Sequence, residues 1–143
     1  MTETSEAATS QFVRLDSETR ADTTSLVDCI VEALLERKAK EIVLLDVRKL
    51  TTLSDYFIIC HGTSETQIRA LANNVLDKTS EKLNQKAWKK EGLEARRWII
   101  LDYVNVVVHI FSEEKRRFYD LERMWNDAVR TEISDTPAQT QER

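Results

Sequence analysis

Gly62-Thr63-Ser64 lies between an apolar run and a helical pattern, the place where free backbone N–H groups at a helix start can hold an anion. The chemistry on offer is phosphate binding. One glycine is a weak signal for it, because the chain has neither Gly-x-Gly-x-x-Gly nor Gly-x-x-x-x-Gly-Lys-Ser/Thr, which excludes a dinucleotide fingerprint and a P-loop. A nucleotidyltransferase would need closely spaced carboxylates on a strand to hold a divalent metal against a triphosphate. Nothing after Gly62 supplies such a pair: Glu113-Glu114 opens a helix, and Glu91 and Glu94 fall in a loop, so capping and solvation account for them. Ser64-Glu65-Thr66-Gln67 has the Ser-x-x-Gln form in which each end residue's side chain satisfies the other's backbone donor. The turn therefore reads as a strand-to-helix junction.

Other catalytic sets are no stronger. Cys60 and His61 are neighbours in a strand and point to opposite faces, which prevents a thiolate–imidazole pair. His109 has no partner defined by spacing, and two cysteines with two histidines lack zinc-ligand spacing. Neither a metal nor a cofactor is expected. Cys29 and Cys60 read as buried thiols of a reducing compartment.

The elements that carry these residues follow from periodicity. Leu26, Ile30, Ala33 and Leu34 recur at helical spacing, predicting a helix near 24–38. Residues 41–47 and 56–60 are short, continuously apolar and β-branched, as in strands covered on both faces. Ile68, Leu71, Ala72, Val75, Thr79 and Leu83 extend a second helix over 65–83. Residues 86–90 fit a short edge strand ending at Gly92, its lysines opposing edge-to-edge aggregation. Ser112-Glu113-Glu114 opens a third helix with acids at the positive dipole end and Phe118, Leu121, Trp125 and Ala128 along its apolar side. The order predicts an α/β fold, a mixed β-sheet flanked by helices.

Residues 97–103 and 106–111 read as a hairpin around Val104-Asn105. This register places Tyr103, Leu101, Ile99, Val106, Val108 and Ile110 on one apolar face. The other face mixes Trp98, Ile100 and Asp102 with Val107, His109 and Phe111. Aromatics among a few polar groups suit a protein-binding surface. The competing expectation is a helix lying over this face, with Trp98 as ordinary core. Val104 fits poorly in a turn that requires positive φ.

The 143 residues allow one domain, and the formal charge of −4 is concentrated at the ends. Residues 1–23 and 130–143 hold eight acids and four bases and read as disordered tails, leaving a domain over 24–129 with seventeen of each. A neutral core does not bind phosphate backbones strongly. The basic groups at 37–40, 86–90 and 115–117 are read as solvated faces. No secretory signal or membrane-spanning run is visible, so a cytoplasmic protein is expected.

Ser54-Asp55-Tyr56-Phe57-Ile58-Ile59-Cys60-His61-Gly62-Thr63-Ser64, Glu91-Gly92, Trp98, Leu101-Asp102-Tyr103, Val106-Val107-Val108-His109-Ile110-Phe111 and Phe118-Tyr119-Asp120-Leu121-Glu122-Arg123-Met124-Trp125 together resemble the ribosomal silencing factor (RsfS/Iojap) family over about 24–128. The resemblance implies a nucleotidyltransferase-like fold without its active site and a non-enzymatic role. It implies binding to the large ribosomal subunit through its fourteenth ribosomal protein, at the face that meets the small subunit. Subunit joining would be blocked, and translation repressed, when nutrients are scarce. Trp98 matches the family tryptophan associated with docking, and Asp102, Tyr103, His109 and Phe111 match motif positions beside it. Two positions depart from the family pattern, Val104-Asn105 where Gly-Asp is common and His61 where a smaller residue often stands. An aromatic docking face also permits a homodimer off the ribosome. Two other readings compete: a divergent nucleotide-binding enzyme using Gly62-Thr63-Ser64, and an RNA adaptor using the lysines of 86–90 around Trp88.

Overall fold

Two β-branched apolar runs form the centre of the sheet. In the computed structural model, which describes residues 23–134, strand β2 (Tyr56–Gly62) pairs in parallel with β5 (Val106–Ser112), from Tyr56 opposite Val106 to Gly62 opposite Ser112. Ile58, Ile59 and Cys60 have no exposed surface, as a strand covered on both faces requires. Around this pair lie β1 (Lys40–Asp46), β3 (Lys89–Glu91), β4 (Trp98–Asp102) and β6 (Val129–Glu132), giving the order β3-β4-β5-β2-β1-β6 with every other pairing antiparallel. The helices are α1 (23–36), α2 (Glu65–Leu83), α3 (Glu113–Tyr119) and the short α4 (Leu121–Met124). The mixed α/β architecture is the expected one.

One sheet face is closed. Leu26, Ile30 and Leu34 of α1 and Ile68, Leu71 and Val75 of α2 join the buried cluster that holds Ile58, Cys60, Ile99, Leu101, Val108 and Ile110. Gln67 ties the two helices together. Its Nε2 donates to the Arg37 and Lys38 carbonyls at 3.1 and 2.9 Å, while its Oε1 accepts from Thr63 N–H at 2.7 Å. Ser64 Oγ caps α2 by accepting from Gln67 N–H at 3.0 Å. The expected reciprocal box is thus half formed, because the Gln67 side chain is drawn one residue back and across to the open carbonyls at the end of α1.

Three further expectations change. The third helix does not run to 128. Asp120 takes φ 50° and its N–H bonds Arg116 O at 2.9 Å, so the chain turns there. Leu121, Trp125 and Ala128 then pack on the sheet, whereas Phe118 is 74% exposed. Arg130 to Glu132, assigned by composition to a tail, form part of β6 because β1 offers them a backbone ladder. Arg116, assigned to a solvated basic face, is buried. Thr23, also placed in a tail, is buried in α1, and the tail residues 1–22 and 135–143 lie outside the described residues.

The β4–β5 hairpin keeps the register read from sequence, with Trp98 opposite Phe111, Ile100 opposite His109 and Asp102 opposite Val107. Its turn carries Val104 at φ 75°, and Asn105 N–H bonds Tyr103 O at 2.9 Å across it. That pairing is a γ-turn of the strained hand. Neighbouring groups hold it: Val104 N–H bonds Asp102 Oδ1 at 2.7 Å, and the Asn105 carbonyl accepts from Asp55 N–H, Tyr56 N–H and Ser54 Oγ. Val104→Gly removes the β-branched side chain from a left-handed position and is expected to raise the unfolding free energy by about 1 kcal/mol. Urea denaturation measures this, and a loss of stability would show that the turn stores no strain.

Candidate functional site

The Gly62–Ser64 junction uses two nearby donors internally. Thr63 N–H is taken by Gln67, and Gln67 N–H by Ser64. A Cβ at Gly62 would lie 3.0 Å from Ile68 Cγ1 and 3.2 Å from Gln67 Oε1, so a side chain there would press on both neighbours. The adjoining cleft sets Glu65, Glu113 and Glu114 against Arg96 and Arg97. Cys60 and His61 face opposite ways: burial pushes the Cys60 thiol up to about 12, and His61 accepts from Arg116 on the other side. Trp88 is exposed, and neighbouring Lys89 pairs with Glu91 at 3.2 Å.

Among the described residues, the second sheet face is only half covered. Val43, Leu45, Val47, Ile59 and Phe111 form a buried cluster against which Leu121, Trp125 and Ala128 pack from the chain beyond α3, and Phe57 and Trp98 from the sheet. Trp98, Ile100 and Asp102 of β4 and Val107 of β5 remain half-buried there. Tyr119 and Met124, at the rim of the cover, are exposed. Trp98 is set on a connected run of rings. It stacks on Phe111 with centroids 4.9 Å apart and meets Tyr119 at 4.5 Å. Its Nε1–H donates to His109 Nδ1 at 3.1 Å. His109 in turn meets Phe57 edge-on at 5.6 Å, and Phe57 meets Trp125 at 5.1 Å.

The five residues that the resemblance proposes for docking separate into three positions. Trp98 and Asp102 reach the surface. His109 and Phe111, 8% and 0% exposed, lie beneath Trp98 and support it. Tyr103 is on the closed face, its hydroxyl 2.8 Å from Thr79 Oγ1, where helix α2 covers it. Burial thus removes Tyr103 and Phe111 from direct contact with a partner. Ile100 and Val107 belong to the exposed patch and were legible as its members, since the hairpin register places them on that face. Tyr119 was not, because its position depends on the break at Asp120.

A charged cluster pins the cover. Arg116 donates to Glu122 Oε2 at 2.8 Å and to His61 Nδ1 at 2.9 Å, and Glu122 Oε1 accepts from Arg130 of β6 at 2.9 Å. Burial alone would raise the Glu122 carboxyl, but the hydrogen bonds and charges of Arg116 and Arg130 hold it below the usual range. Burial and the Arg116 charge lower the His61 imidazole, and burial pushes His109 down to about 4.

Half-closed in this way, the molecule is a mixed α/β protein with one sealed sheet face and one that presents a supported tryptophan. The sequence model described as "Ribosomal silencing factor during starvation" matches residues 20–143, and the chain belongs to that family. It is 36% identical to the ribosomal silencing factor RsfS of Halalkalibacterium halodurans over 76% of this chain and 92% of that protein. A crystal structure of a protein from Chromobacterium violaceum superposes with a TM-score of 0.70 at 36% identity, covering 72% of this chain and 85% of that one. A mouse relative named "Mitochondrial assembly of ribosomal large subunit protein 1" is 29% identical over 69% of this chain and 44% of its own length.

Both imidazoles are neutral in the folded protein and protonate in the unfolded chain below about pH 6.5. The unfolded state then binds more protons, so stability is complete above that pH and falls as the pH drops toward the folded values. His109 alone should lower the unfolding free energy by about 2 kcal/mol between pH 7 and pH 5. Urea titrations at the two pH values measure the difference, and equal stabilities would contradict the buried neutral state.

Proposed function

We propose that this protein represses translation by binding the large ribosomal subunit and occupying space that the small subunit needs. The observation that carries the reading is the half-open face: Trp98, Ile100, Asp102 and Val107 form an apolar patch with a polar edge on a rigid sheet. A large aromatic on such a patch is a common form of interface hot spot. Membership of the ribosomal silencing factor family, and the mouse relative's name, support the large subunit as the partner of that patch. Its receptor is the fourteenth large-subunit protein at the intersubunit face, and the site of action is the cytoplasm under nutrient limitation.

Repression of this kind is steric and uses no catalytic group. The internal pairing of the Gly62–Ser64 junction supports that view, because two of the backbone donors near the turn, Thr63 N–H and Gln67 N–H, are engaged by the Gln67 and Ser64 side chains. Asp102 sets the polar edge of the patch, and His109 and Phe111 form the floor on which Trp98 rests.

Trp98→Ala should weaken binding to purified large ribosomal subunits about thirtyfold, equivalent to about 2 kcal/mol. Binding is measured by co-sedimentation, with the fold checked by circular dichroism. Unchanged affinity in a folded variant would remove Trp98 from the interface.

A further inference from the structure

The orientation of Trp98 is set by one directional bond. Stacking on Phe111 and contact with Tyr119 fix the plane of the indole loosely, with interplanar angles of 25° and 42°. The hydrogen bond from Nε1 to His109 Nδ1 fixes its rotation within that plane. For Nδ1 to accept, the imidazole proton must be on Nε2, so the bond defines the tautomer as well as the ring. His109 is itself held, paired with Ile100 across the hairpin and with Ile59 on β2, and wedged against Phe57. At 8% exposure it has almost no surface to offer a partner.

We propose that His109 is a positioning residue for docking: its Nδ1 holds the Trp98 indole in the orientation that the partner reads, and it acts through Trp98 rather than by contact. The inference rests on the docking role of Trp98 proposed above. A consequence concerns the partner's chemistry. With its N–H satisfied inside the protein, the indole presents carbon surface outward, so the surface that covers it is apolar and supplies no acceptor to the ring.

His109→Leu keeps the site apolar and removes the acceptor, while His109→Asn returns an acceptor oxygen near the place of Nδ1. Both variants, with Trp98→Phe and the double variant Trp98→Phe/His109→Leu, are tested for fold by circular dichroism and for binding to purified large ribosomal subunits. The indole N–H resonance of Trp98 in the free protein, assigned by its loss in Trp98→Phe, reports the bond directly. His109→Leu should shift that resonance and weaken binding about fivefold, equivalent to about 1 kcal/mol. His109→Asn should restore both, and the double variant should bind no more weakly than Trp98→Phe alone. Wild-type affinity in His109→Leu, or additive losses in the double variant, would overturn the positioning role. If Trp98→Ala also binds normally, the docking reading itself fails; if only Trp98→Ala loses binding, the error is confined to His109.

Discussion

The parallel pairing of β2 with β5 is the constraint from which the rest of the architecture follows. Two parallel neighbours cannot be joined by a tight turn, so the chain between them must leave the sheet and return. Here it leaves as α2, which seals one face together with α1, and comes back through β3 and β4 at the edge. Parallel strands must be covered on their other face too. The segment from Leu121 to Ala128 packs over β1, β2 and the Phe111 end of β5, and among the described residues Trp98, Ile100 and Asp102 of β4 stay half-buried. The half-open patch around Trp98 is therefore a consequence of topology.

The cover and the patch depend on different forces. Apolar packing of Leu121, Trp125 and Ala128 supplies attraction without direction. Direction comes from Arg116, whose guanidinium reaches Glu122, His61 and, more distantly, the Lys40 carbonyl. A buried ion pair of this kind contributes little net stability against a well-packed apolar alternative. Its effect is geometric: it sets where α3 ends and where α4 begins, and through Arg130 it brings β6 against β1. Tyr119, at the end of α3, is thereby placed against Trp98.

Much of this was legible in the sequence. The capped, strongly periodic stretch gave α2 its observed limits, and strict alternation across Val104-Asn105 gave the hairpin its register even though a valine occupies the turn. Those features are local. What escaped depends on partners distant in sequence: the diversion of Gln67 toward the end of α1, the burial of Arg116 by Glu122 and His61, and the recruitment of residues 129–132 by the open edge of β1. Family motifs name the five proposed residues as a group, yet motif positions do not distinguish half-exposed Trp98 from its support, Phe111 and His109, or from Tyr103 on the opposite face. That separation required the register together with the extent of the cover.

The central claim is that occupancy of the half-open face on the large subunit excludes the small one. It is tested most directly by sedimenting mixed purified ribosomal subunits through a density gradient with and without the protein, in the absence of nucleotide. The account predicts that the joined-particle peak falls and that the protein travels with the large-subunit peak. An undiminished joined-particle peak, with the protein bound to it, would contradict the account.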